Sequence, residues 1–176
     1  MFKKLRGFTL IELLIVVAII GILAALLIHN AITAIQKAKQ KTTMKDITVI
    51  STALADYITD NGTTMDSNGA YTTSSDLYTG LSPFYVKVLP LNDQWGNGYM
   101  VWTGTNITVY GATGIADDFL VASFGRDKIQ EAGFTFDTSN PESGLFVVNQ
   151  MVHFNRDLVQ WNGSWIRAPR TAATGS

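Results

Sequence analysis

Lys3-Lys4-Leu5-Arg6-Gly7-Phe8-Thr9-Leu10-Ile11-Glu12-Leu13-Leu14 decides how this chain is read. A short basic leader ends at a Gly-Phe junction, and an apolar run carrying one acid follows. From Phe8 to Ile28, 21 residues, every side chain is apolar or small except Thr9 and Glu12. As a helix that run is about 31 Å long, enough to cross the hydrocarbon core of a bilayer. A carboxylate inside such a segment costs about 2.5–3.5 kcal/mol on insertion scales, so its presence implies a job. An ordinary secretory signal reads differently: it is cut after its apolar region, at a small-x-small site, and has no use for an acid near the start of that region.

The basic leader, Gly7, Phe8-Thr9-Leu10-Ile11-Glu12 and the unbroken apolar helix occur in register. In this the chain resembles the prepilin signature of type IV pilins and type II secretion pseudopilins. The resemblance implies a dedicated peptidase that cuts between Gly7 and Phe8 on the cytoplasmic face and methylates the new N-terminus. Phe8 would then be first, and Glu12 fifth, in the mature chain. It also implies that Glu12 pairs with the N-terminal amine of Phe8 on a neighbouring subunit. The physics agrees, because a lone carboxylate among bundled apolar helices must find a partner. The alternative is a Glu12 that stays protonated in the membrane, the state that burial favours. Both can hold in sequence, neutral or solvated before assembly and paired afterwards.

The bulk numbers narrow the function classes. A chain of 176 residues suggests one domain beyond the membrane segment. Loss of Lys3, Lys4 and Arg6 would move the formal side-chain charge from −1 to −4, which offers no basic surface for nucleic acid. There is no cysteine, which excludes disulfides, thiolate metal sites and Cys nucleophiles. Only His29 and His153 are available for a His-based site. No Gly-x-Ser-x-Gly, phosphate-cradling glycine loop or His-Glu-x-x-His occurs, so the chain is not expected to be an enzyme.

Three regions are expected: a leader over residues 1–7, a long helix over 8–60 whose part 8–28 is transmembrane, and an α+β head over 61–176. The helix changes character near His29-Asn30. Beyond it, Ile47, Ile50, Leu54, Tyr57 and Ile58 recur at helical spacing and would face a packed domain, while Lys37, Lys39, Lys41, Lys45 and Asp46 take the wetter side. Asn61-Gly62 is a stop signal. Residues 61–82, rich in Gly, Thr, Ser, Asp and Tyr, read as a surface loop. Strand candidates are Tyr99–Trp102, Ile107–Tyr110, Phe119–Ala122, Leu145–Val148, Met151–Phe154 and Leu158–Trp161, with Asn162-Gly163 as a hairpin turn. Together they predict a small antiparallel sheet against the amphipathic half of the helix.

Two head segments extend the resemblance. Leu89-Pro90 followed by Asp93-Gln94-Trp95-Gly96-Asn97-Gly98-Tyr99 is similar to a segment of the major pseudopilins of type II secretion, with Gln94 where proline is usual. Gly96-Asn97-Gly98 is a tight turn by composition, and Trp95 would fold beneath it as a core anchor. Phe119 to Asp127 resembles the family's strand leading into a Ser-x-Gly-x-Asp loop, matched at Ser123, Gly125 and Asp127. The resemblance stops there. It implies calcium in the loop that follows; Asp117, Asp118, Asp127, Glu131 and Asp137 lie nearby in sequence, and Asp117, Asp118 and Asp127 are the candidate ligands. Calcium wants six to eight oxygens, the acids match no compact loop motif, and Lys128-Ile129-Gln130 stands where the family has a Gly-rich acidic run.

The reading is therefore a filament subunit, with the major pseudopilin of a type II secretion system favoured by the Asp93–Asn97 segment and the absence of cysteine. A surface or competence pilus subunit is the alternative, favoured by the long tail after Asp127. A minor tip pilin, using Trp102, Trp161 and Trp165 as an aromatic platform, is a third reading. The resemblance implies as partners further copies of the chain in a helical polymer, the prepilin peptidase, an inner-membrane assembly platform with its ATPase, and minor pilins or pseudopilins. It implies a single-pass inner-membrane protein with a cytoplasmic N-terminus, then a periplasmic or cell-surface filament.

Overall fold

The computed structural model describes residues 7–170. The readings made on Lys3, Lys4, Arg6 and the His29 side chain lie outside what is described. The chain divides into two units, Met1–Lys37 and Ala38–Ser176. One helix, α1 (Leu10–Asn61), contributes to both.

In the first unit, every described side chain from Gly7 to Ile28 is exposed. Leu10 is 81% and Leu26 69% accessible. This stretch is long and apolar enough to cross a membrane, and a helix apolar all round needs lipid or other helices around it.

In the second unit, α1 is amphipathic. Ile47, Ile50 and Leu54 are fully buried and lie on one helical face, as their spacing requires. Tyr57 and Ile58 pack at the edge of the same core. The helix also carries several β-branched threonines; Thr42, Thr48, Thr52 and Thr59 each donate their hydroxyl to the carbonyl four residues earlier. The helix ends where Gly62, at φ +72°, donates its N–H to Ile58 O at 2.7 Å, a left-handed C-terminal cap.

The sheet has six strands: β1 (Asn68–Ala70), β2 (Met100–Thr103), β3 (Phe119–Ser123), β4 (Leu145–Val147), β5 (Leu158–Trp161) and β6 (Ser164–Arg170). Their order is β1-β2-β3-β5-β6-β4. All neighbours are antiparallel except β4 and β6, which run parallel, so the sheet is mixed. The central strand β3 is buried on both faces. Phe119 and Val121 join the core beneath α1; Leu120 and Ala122 point into a second core with Trp102, Ile107, Tyr110, Val159 and Ile166. Asn162-Gly163, both at positive φ, makes the β5–β6 hairpin turn.

The structure corrects four expectations. Residues 61–82 are not simply a loop: they contain β1 and a short helix, α2 (Asp76–Leu81), and bury Tyr71, Leu77 and Leu81. Ile107–Tyr110 is no strand, since Tyr110 sits at φ +56° and the segment turns to bury Ile107 and Tyr110 together. Met151–Asn155 is a 3-10 helical turn that buries only Phe154 completely. Trp102 is buried, Trp161 packs edge-on to Phe136 at 5.7 Å, and Trp165 leans on the core beneath α1. These three indoles are divided between two cores and form no platform.

Candidate functional site

The N-terminal site is built by the first turn of α1. Thr9 precedes the helix, and Glu12 is its third residue. Thr9 N–H donates to Glu12 Oε2 at 2.9 Å, Thr9 Oγ1 donates to the same oxygen at 2.7 Å, and Glu12 N–H donates to Thr9 Oγ1 at 3.3 Å. This reciprocal capping box satisfies two donors at the helix start and places a negative charge at the positive end of the helix dipole. Thr9 was missed as a functional residue, although Thr-x-x-Glu before an apolar run is the signature of this box. Phe8 is 73% accessible. A side chain built at Gly7 would meet nothing within 4 Å, so the fold places no demand for glycine there.

The second site joins the two head segments singled out above. The Asp93–Gly98 turn closes through Asp93 N–H to Asn97 O at 2.7 Å and Gly96 N–H to Asp93 O at 3.0 Å, with Gly96 at φ +78°. Asp93 is buried, and its carboxylate is fully engaged. Oδ1 accepts the N–H groups of Trp95 and Asn97, each at 2.9 Å. Oδ2 accepts the Ser123 hydroxyl at 2.7 Å. Ser123 Oγ in turn accepts Gly125 N–H at 3.2 Å. Gly125 has φ +69°, and an added Cβ would lie 2.7 Å from Arg156 O, so both conformation and space require glycine. The Asp93 turn and the Ser123-x-Gly125 strand end are thus one buried polar node.

That node is tied to α1. Tyr99 donates its hydroxyl to Asp46 Oδ2 at 2.9 Å, and burial, reinforced by that carboxylate, raises the Tyr99 pKa well above the usual phenol range. Gln94 uses its N–H on Thr43 Oγ1 and its side-chain amide on Asp46 Oδ2, each at 3.3 Å. A proline at 94 would have no N–H to give. Trp95 is half-buried at the edge of the core, so the anchor of the turn is the carboxylate of Asp93 rather than the indole.

The third group, the acids considered for calcium, is not gathered. Asp117 is exposed. Asp118 accepts Ile115 N–H at 3.0 Å and the Asn162 amide at 2.6 Å. Asp127 accepts Ile129 N–H at 3.2 Å. Among the described residues no three acidic or histidine side chains come together in a way that could hold a metal ion.

The family model for the prokaryotic N-terminal methylation motif matches residues 2–28, which include Gly7, Phe8 and Glu12. The type II secretion system core protein G of Escherichia coli K12 is 35% identical over 106 residues, 56% of this chain and 72% of that protein. The protein of the same name from Vibrio cholerae is 30% identical over 137 residues, 74% of this chain and 89% of its own length. The one from Pseudomonas aeruginosa is 34% identical over 132 residues, 71% of this chain and 86% of that protein. This chain belongs to the type II secretion system core protein G family. It is pilin-like, with the helix and sheet expected of a pseudopilin. No solved structure matches it significantly. Two pairings escaped the sequence reading: Tyr110 with Asp157, and Glu131, read only as an acid near the calcium loop, with Arg167. Each pair lies far apart in sequence, and Glu131, Asp157 and Arg167 lie beyond Asp127, where the resemblance ends.

Proposed function

We propose that the chain is the repeating structural subunit of a type II secretion pseudopilus. It is cut between Gly7 and Phe8, N-methylated on Phe8, and polymerised by bundling of the apolar half of α1. The carrying observation is the apolar stretch of α1 from Leu10 to Ile28, exposed throughout, whose one carboxylate, Glu12, sits in the first turn of the helix. Exposed apolar area of this kind is stable only in lipid or against other copies. Before assembly, Thr9 satisfies the Glu12 carboxylate. In the filament, the mature amine of Phe8 on a neighbour replaces that contact with an ion pair away from water. Gly7 supports the processing step, since the fold does not ask for glycine at that position. The mature N-terminal segment is the single membrane anchor, and the peptidase, assembly platform and ATPase act on it from the membrane and cytoplasm. The relatives' shared name supports the secretion machine over a surface pilus.

Glu12→Ala tests the assembly step. The variant should enter the membrane as well as wild type, because it loses a carboxylate that insertion opposes. It should yield at least tenfold less sheared or cross-linked polymer, since the N-terminal amine loses its partner. Polymer at wild-type level would refute the pairing.

A further inference from the structure

We propose that the long loop following β3 is closed by an internal cation, the Arg167 guanidinium, and that in this chain the loop needs no calcium. Residues 124–140 contain no helix or strand, so something other than regular hydrogen bonding must fix them. Arg167 projects from β6 and is only 7% accessible. Its Nη2 lies 2.5 Å from Glu131 Oε1 and its Nε 3.0 Å from Oε2, a two-pronged pair on the loop's only glutamate. Its Nη1 donates to Gly144 O at 3.1 Å. Its Cζ lies 4.6 Å from the Phe134 ring centre and 5.1 Å from that of Phe146. One buried positive charge therefore holds a carboxylate, a carbonyl and two aromatic faces, and ties the middle of the loop to the segment that follows it.

A neighbouring pair completes the closure. Asp157 is fully buried, and its Oδ2 accepts the Tyr110 hydroxyl at 2.6 Å and Glu131 N–H at 2.9 Å. Phe136 N–H donates to Tyr110 O at 2.7 Å. Glu131 is thus pinned through both backbone and side chain. Most carboxylate oxygens around the loop are already engaged: those of Glu131 by Arg167, Asp157 Oδ2 by two donors, Asp127 Oδ1 by its own turn, and those of Asp118 by Ile115 and Asn162. Asp157 Oδ1 is buried without a hydrogen-bond partner, but it is one oxygen where calcium takes six to eight. Six to eight oxygens cannot be assembled from what is left without breaking these bonds. The calcium implied by the resemblance does not fit this loop.

The test is hydrogen exchange followed by mass spectrometry on the full chain in detergent micelles, in millimolar calcium and in EGTA. Wild type should show equal protection across residues 126–144 in both, and the same melting temperature. Arg167→Gln should exchange at least tenfold faster across that loop and melt lower by roughly 10 °C. Arg167→Lys should fall between, because it keeps the charge and loses the fork. If Arg167→Gln does not fold, Glu131→Gln serves as the second variant, and the wild-type comparison decides the calcium question alone. Loop protection in wild type that collapses in EGTA and returns with calcium would overturn the proposal. So would unchanged protection in both Arg167→Gln and Glu131→Gln.

Discussion

Removal of the Asp93 carboxylate should unfold the head region more effectively than removal of the neighbouring tryptophan. Asp93 is only 5% accessible and accepts three hydrogen bonds, from Trp95 N–H, Asn97 N–H and the Ser123 hydroxyl. Each donor left unpaired and buried costs about 1–3 kcal/mol. The two amides belong to half-buried residues, so water softens their loss, and a buried charge is relieved at the same time. The net expectation for Asp93→Ala is about 3–5 kcal/mol of stability, a large share of the 5–15 kcal/mol typical of a domain. Ser123→Ala, which removes one hydrogen bond to a charged acceptor, should cost about 2 kcal/mol. The two losses share a bond, so the double variant should fall short of their sum by about 1.5–2 kcal/mol. Asp93→Asn should be milder, because its amide oxygen can still take both N–H groups and its NH2 can face the Ser123 oxygen. Urea unfolding followed by tryptophan fluorescence supplies all four values. Strict additivity of the two single changes, or an Asp93→Ala loss below about 0.5 kcal/mol, would refute the claim that the two segments form one node.

Trp95→Ala should cost about 2 kcal/mol, less than the 3–5 kcal/mol of a fully buried aromatic, because Trp95 is half-buried; the same urea series measures it, and a loss above that of Asp93→Ala would reverse the assignment of the anchor. Asp157 gives a pH dependence. Burial raises its pKa from 3.8 to about 6, against the opposing bonds from Tyr110 and Glu131 N–H. The native state therefore binds more protons than the unfolded state between those values, so this contribution is whole below 3.8 and lost as pH rises through about 6. Asp157→Asn stays neutral throughout, so its stability relative to wild type should improve by about 2–3 kcal/mol from acid to mildly alkaline pH. A difference that does not move with pH would contradict that account.

The helix and the class of the fold were legible because they are written in local pattern. The run from Phe8, the spacing of Ile47, Ile50 and Leu54, and the Asn61-Gly62 stop each act within a turn or two of helix. Short apolar, β-prone runs such as Phe119–Ser123 and Leu158–Trp161 were legible for the same reason. The failures are instructive. Tyr71, Leu77 and Leu81 are buried but embedded in Gly, Thr and Ser, and a three-residue strand and a six-residue helix leave no period to detect. Ile107–Tyr110 has strand composition, yet tertiary packing around Tyr110 sets a backbone that no propensity scale would choose. The N-terminal residues Gly7, Phe8 and Glu12 were read from a contiguous motif. Asp93 with Ser123, Tyr110 with Asp157 and Glu131 with Arg167 are separated by 30, 47 and 36 positions, and nothing in a single sequence says which distant residues will meet.

The most direct measurement is the mass of the N-terminal peptide of the chain recovered from membranes of cells that carry a prepilin peptidase. Cleavage at the Gly7–Phe8 bond and methylation should give a peptide beginning with N-methylated Phe8, and Gly7→Val should leave the leader attached. A mature chain beginning at Ala25 or beyond would show a secretory signal cut after its apolar region, and would remove both Glu12 and the amine it is held to pair with from the finished protein.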